Sequence, residues 1–296
     1  VRDFQTLLSE TADRVTVALD ALIPRPDGPE KRLISAMRYA ALGPGKRMRP
    51  FLLIECGRLV EAGERSLLRA ACAVECIHAY SLIHDDLPCM DDDDLRRGRE
   101  TVHIAYDEAT AVLAGDALQA QAYEILADPQ THASGAVRAE LIMRLARASG
   151  ARGMAGGQMV DMAIEAGDES EIGVITRCQR MKTGALISFC AEAGHVMAGA
   201  DRAAAAALDG YAHDLGLCYQ IVDDLLDAEG DENLTGKRVN KDARLGKATF
   251  VTILGVEGAR ERASHLAEQS KEHLAPFGDS ARLLRDTVDY VLDRQT

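Results

Sequence analysis

The chain has 296 residues, 47 % of them apolar and 27 % charged, enough to bury a large core in one or two domains. Its formal net charge of −13 argues against a nucleic-acid surface, which needs a basic stripe. The seven cysteines are scattered without a C-x-x-C pair, which speaks against zinc and predicts small, reduced core residues in a cytoplasmic protein. No uncharged run of membrane-spanning length is present, so a membrane-spanning chain is not expected. Val1-Arg2-Asp3-Phe4 shows no secretion-signal pattern, so secretion is not expected either.

Phe4, Leu7, Leu8, Ala12, Val15 and Leu19 recur at three- and four-residue steps and predict a first helix. Similar patterns cover 31–42, 50–61, 67–83, 109–127 and 136–149. They continue over 157–164, 172–181, 184–198, 202–228, 248–270 and 280–294. Alternating β-branched runs are absent, so no strands are expected. Loops fall at 24–29, 43–47 and 128–129, and the polar stretch 229–247 has the length and composition of a lid or binding loop. No repeat or linker divides the sequence. The expected fold is all-α, a single-domain helical bundle over 1–296 with a central cleft, since bundles carry metal sites on facing helices.

Two acidic clusters stand out against this background. The first runs His84-Asp85-Asp86-Leu87-Pro88-Cys89-Met90-Asp91, with Arg96-Arg97-Gly98 after it. The second is Gln220-Ile221-Val222-Asp223-Asp224-Leu225-Leu226-Asp227. Either alone reads more readily as a solvated loop. Each, however, ends an apolar helical run, where crowded carboxylates repel one another unless a cation joins them. Pro88 should end the helix after Asp86 and let Asp91 return toward Asp85. Asp223 and Asp227, four apart, share a helix face. Mg²⁺ characteristically bridges a few carboxylates to substrate phosphates, so the pair suggests a diphosphate held through Mg²⁺ between two walls.

Further basic and polar residues complete a pattern: Gly45-Lys46-Arg47-Met48-Arg49-Pro50, His78, Lys182-Thr183-Gly184, and a Gly-Lys pair in the loop after the second cluster. Taken singly, the basic residues are ordinary surface charges and His78 a core histidine. Together with the two aspartate clusters they resemble the trans-isoprenyl diphosphate synthases over nearly the whole chain, most closely the bacterial farnesyl diphosphate synthases. That resemblance implies an isoprenoid-synthase fold, a homodimer, and a transferase condensing isopentenyl diphosphate with dimethylallyl and geranyl diphosphate. It implies three Mg²⁺ ions bound by Asp85, Asp91 and Asp223, with Asp86, Asp224 and Asp227 ligating or ordering metal-bound water. Arg96, Lys182, Lys237 and Lys247 would hold the allylic diphosphate, with Thr183 and Gln220 on its oxygens or beside the cation. Lys46, Arg49, His78 and Arg97 would hold isopentenyl diphosphate. Gln158 and Asp161 match a family pair near the metals, although a capping or core-polar role fits them as well.

The resemblance also implies that Tyr80 and Ser81, five and four residues before the first motif, set product length. Four residues separate Asp86 from Asp91, where long-chain bacterial members typically have two. Pro44 departs from the usual glycine-rich turn but leaves Lys46 in register. A geranylgeranyl diphosphate synthase shares the chemistry with a deeper cavity, and a terpene cyclase would have no use for the Lys46, Arg49 and His78 set. A non-catalytic partner of a heteromeric synthase tends to lose acidic ligands, whereas both motifs are complete here.

Overall fold

A computed structural model describes residues 3–166, 171–229 and 249–294. The chain divides into two compact units: 1–54 with 62–142, and 55–61 with 143–296. In the first unit lie α1 (Phe4–Leu22), α2 (Lys31–Ala41), the start of α3 (Met48–Leu59), α4 (Glu64–Asp85), the short α5 (Val102–Ala105) and α6 (Glu108–Ala127). Helix α1 starts where the Asp3 carboxylate caps the Thr6 amide at 2.7 Å, and it buries Leu8, Val15 and Leu19. Of the predicted stripe, Leu8, Val15 and Leu19 are buried and Phe4, Leu7 and Ala12 are half-buried.

Helix α4 packs along α6 and has almost no polar side, because Leu67, Ala71, Cys72, Val74, Cys76 and Ile77 are all buried. By length and composition it could cross a membrane, but 67 % of its most apolar window is buried inside the fold, as in a core helix of a soluble domain. Six cysteines are buried and form no disulfide; Cys89, in the first aspartate cluster, is exposed, contrary to the expectation of a core role. Burial pushes the Cys72 thiol up to about 12 and that of Cys218 to about 11, which leaves both unreactive.

The second unit contains α8 (Met154–Glu165), α9 (Ile172–Gln179), α10 (Ala185–Ala198), α11 (Arg202–Glu229), α12 (Phe250–His273) and α13 (Arg282–Asp293), after the end of α7 (Gly135–Ser149). Helix α11 packs along α12 and α10. Buried Tyr211 ties α11 to α13 through a 3.1 Å bond to the Leu284 carbonyl, and its own carbonyl accepts from Ser270 of α12 at 3.0 Å. Helix α12 is opened by a capping box between Thr249 and Thr252.

Two elements correct the sequence reading. Strands do form: β1 (Leu95–Arg96) and β2 (Arg99–Glu100) pair antiparallel around a two-residue turn. Arg97 at φ 53° and Gly98 at φ 74° supply the left-handed backbone such a turn requires, a signal carried by two residues rather than by alternation. The helix break expected between 181 and 184 is instead a π-helical segment, Arg180–Gly184, joining α9 to α10. The loop 229–247, with Lys237 and Lys247, lies outside the described residues beyond Glu229.

Candidate active site

At its C-terminus α4 delivers the first aspartate cluster. Asp86 is the C-cap just past the last helical residue, Asp85, with its N–H on the Leu82 carbonyl, and Pro88 prevents continuation. The chain then hooks back: the Asp91 amide donates to the Asp85 carbonyl at 2.8 Å. The return of Asp91 toward Asp85 is thus built into the backbone. The neighbouring Asp86 carboxylate is buried and receives Arg96 from β1, Nε at 2.7 Å and Nη2 at 2.5 Å, both on Oδ1. Burial still leaves this carboxyl above its ordinary pKa, opposed by the guanidinium. Asp86 is therefore held by protein, whereas Asp91 stands exposed to solvent.

The hairpin and the loop 43–47 form the basic side of this unit. Arg99 stacks on Tyr39 at 4.1 Å, and the Tyr39 hydroxyl donates to the Glu100 carbonyl at 2.8 Å, fixing the hairpin to α2. At the turn, Arg97 donates to the Pro44 carbonyl at 2.7 Å, so the unusual proline supplies the acceptor that docks this arginine. Arg47 has φ 50° and a fully buried guanidinium. It donates to the carbonyls of Ala41 and Gly43 at 2.8 and 2.7 Å and to Glu75 of α4 at 2.5 Å. This knot holds the loop so that Lys46 projects outward while Arg49, one turn on, meets His78 at 3.3 Å. Arg47 enters the sequence pattern only as a member of the 45–50 motif with no role of its own, and Glu75 not at all; an acid within an apolar helix is the available signal. A cavity of about 70 Å³ touches Arg47, His78, Arg96 and Arg97.

His78 is half-buried. Burial first, then the guanidiniums of Arg49, Arg97, Arg47 and Arg96, hold its pKa well below the usual histidine value. The imidazole is therefore neutral at pH 7 and accepts from Arg49. The unfolded chain protonates His78 near its ordinary pKa, about 6.5, while the folded chain resists. This residue's contribution to stability is complete above that value and falls as pH drops below it toward the folded pKa. Replacing His78 with Gln is expected to flatten the stability–pH curve below pH ~6.5, as read by denaturant titrations at several pH values.

In the second unit the π segment presents Lys182 and Thr183. Gly157 of α8 permits this: a Cβ there would lie 2.2 Å from the Lys182 nitrogen. Lys182 reaches Asp161 of α8 at 2.5 Å, and Asp161 is buried. Thr183 donates to Gln220 at 3.0 Å, Gln220 donates to Asp224 at 3.1 Å, and the Phe250 amide donates to the other Asp224 oxygen at 3.1 Å. That relay fixes the Gln220 amide orientation and commits Asp224 to the start of α12. Asp223 points away from it, exposed, with Oδ1 on Arg294 at 2.5 Å. Arg294 also covers the Tyr219 ring at 3.8 Å and bonds the Tyr219 carbonyl at 2.8 Å. No sequence motif marked Arg294. Half-buried Asp227 follows one turn after Asp223 on α11. Oε1 of Gln158 is buried with no hydrogen-bond partner, one turn before Asp161.

Among the described residues no three His, Cys, Asp or Glu side chains converge as a ready-made metal cage. The polyprenyl synthetase family model matches residues 30–281. The chain belongs to the polyprenyl synthetase family. Its similarity to the farnesyl diphosphate synthase of Escherichia coli is 43 % identity over 99 % of each chain. Among solved structures it is similar to an FPP/GFPP synthase of Zymomonas mobilis, with 45 % identity, TM-score 0.89 and 98 % of each chain covered. A geranyltransferase of Helicobacter pylori, solved with magnesium and isoprenyl diphosphate, shares 31 % identity at TM-score 0.84, with 99 % of this chain and 97 % of that one covered. The all-α expectation agrees with these neighbours.

Proposed function

We propose that this polyprenyl synthetase is a magnesium-dependent transferase that adds isopentenyl diphosphate to dimethylallyl and then geranyl diphosphate, releasing farnesyl diphosphate and diphosphate. The observation that carries the reading is the end of α4, where Asp85 and the returning Asp91 follow Tyr80 by little more than one turn, in the same unit as the Arg49–His78 pair. We further infer that both aspartate clusters serve one cleft of a single 1–296 domain. The single family match from 30 to 281, which includes both clusters, supports this. A homodimer and a cytoplasmic location belong to the same reading.

The donor set fits Mg²⁺: oxygen ligands only, and few of them, as suits an ion shared with substrate phosphates. Asp85, Asp91 and Asp223 would hold the metal, and the orphaned Gln158 oxygen beside Asp161 suits the hydrogen of a metal-bound water. We take the number of ions as three. When bound, they neutralise the charge that grows on the diphosphate as the allylic C–O bond breaks. Lys182 adds a positive charge to the same group, turning from Asp161 or bridging to it, and Arg96 does so from the opposite cluster. Thr183 and Gln220, already locked by Asp224, present fixed dipoles to the allylic carbon. Lys46, Arg49 and Arg97 hold the diphosphate of isopentenyl diphosphate, and neutral His78 orients Arg49. Lys237 and Lys247 complete the allylic site.

Tyr80 is assigned as the floor of the apolar cavity, and Ser81 sits beside it with its hydroxyl on the His78 carbonyl at 2.9 Å. The Tyr80 ring is buried and contacts His84 edge-on at 5.5 Å, and Gln119 of α6 hydrogen-bonds the Tyr80 hydroxyl. A packed ring offers a growing chain no room. Tyr80→Ala is expected to shift the main product from fifteen carbons to twenty or more with turnover retained, and Ser81→Phe to favour ten carbons. Product chromatography checks both, and a folded Tyr80→Ala enzyme that still stops at fifteen carbons would show Tyr80 to be only a core aromatic. A wild-type product of twenty carbons would favour the geranylgeranyl alternative.

A further inference from the structure

The second unit contains a cavity of about 880 Å³ that the proposed chemistry does not use. Four arginines line it: Arg152 in the turn before α8, Arg177 of α9, Arg180 of the π segment and Arg262 of α12. Among the described residues no acidic side chain lines it. Several arginines elsewhere hold carboxylates, as Arg47 holds Glu75, Arg144 holds Glu192 and Arg260 holds Glu229. The four in this cavity have no such ion pair among the described residues, on a chain of net charge −13. Unneutralised guanidiniums grouped around one space repel each other, and a polyanion relieves that repulsion. Their planar forks match phosphate oxygens in pairs.

The rest of the lining is apolar. Leu217 and Phe250 form buried wall, while Ile172 and Leu254 remain 42 % and 37 % exposed. Large apolar side chains left in water beside free cations suit a ligand with both an anionic head and a hydrocarbon tail. Among the described residues the lining includes none of Asp161, Lys182 and Asp223, which sets this cavity apart from that part of the proposed reaction centre.

We propose that this arginine-lined cavity binds a soluble phosphorylated amphiphile, with the diphosphate on Arg152, Arg177, Arg180 and Arg262 and the tail against Ile172, Leu217, Phe250 and Leu254. The head-and-tail chemistry stands on the cavity alone; the choice of a prenyl tail rests on the proposed function. The full-length chain is dialysed to equilibrium against radiolabelled farnesyl thiodiphosphate in excess EDTA, which removes the metal-dependent mode of binding. Saturable binding of one equivalent is expected. Arg177→Ala and Arg262→Ala, on two different helices, should each weaken it by about tenfold, as losing a charge-assisted contact does. Circular dichroism should be unchanged, and turnover with Mg²⁺ should stay at the wild-type level. Inorganic diphosphate, lacking the tail, should bind at least about tenfold more weakly. Absence of binding in EDTA, or binding indifferent to both substitutions, overturns the site. So does retention on anionic phospholipid vesicles without binding of the soluble probe, which would identify a membrane-facing patch instead. A chain that binds the probe in this way but transfers no prenyl group keeps this site and refutes only the proposed reaction.

Discussion

Asp85→Ala and Asp223→Asn are each expected to lower kcat by at least ~10³-fold, because stabilising the departing charge is commonly the largest single catalytic contribution. The two substitutions test opposite clusters. Asp85 closes the backbone hook with Asp91 through its carbonyl, which Ala retains, so the loop should keep its shape. At Asp223 the amide is the better choice, because Arg294 is buried and an oxygen facing it preserves the contact at 2.5 Å. Single-turnover kinetics with thermal melts separates chemistry from folding. Loss of activity at Asp85 with none at Asp223 would mean that the two clusters do not serve one site.

The largest effect on stability is expected at Glu75. Its carboxylate and the Arg47 guanidinium meet at 2.5 Å with side chains each 3 % exposed. Glu75→Ala would leave a charge buried without its counter-ion, a change that typically costs ~3–5 kcal/mol. The two carbonyl bonds of Arg47 offset only part of that loss. A double replacement, Arg47→Met with Glu75→Leu, removes both charges and should recover most of the stability. It should not recover isopentenyl diphosphate affinity, because the loop carrying Lys46 loses its anchor. Urea denaturation and KM measurements on the single and double variants check the two halves of this expectation.

Much of this was legible before any coordinates. The stripe at Leu8, Val15 and Leu19 and the apolar run through α4 mark buried faces directly, since a helix that packs must repeat its apolar residues. Pro88 announces the hook that returns Asp91. The pairings were less accessible. Nothing in the spacing brings Arg294 to Asp223, seventy-one residues away in sequence, or Lys182 to Asp161, because long-range contacts depend on how helices cross rather than on local pattern. The hairpin escaped because two-residue strands carry no alternation; only the Arg97-Gly98 turn encodes it. The π segment likewise has no periodicity of its own. It replaces a break with a continuous helix that carries Lys182 and Thr183, as π segments often do at functional sites.

The most direct test of the account is one incubation of the purified chain with radiolabelled isopentenyl diphosphate, dimethylallyl diphosphate and Mg²⁺, with products separated by chain length. A dominant fifteen-carbon diphosphate, abolished by excess chelator and restored by Mg²⁺, is the predicted result. No prenyl product, or turnover undiminished in excess chelator, would contradict it.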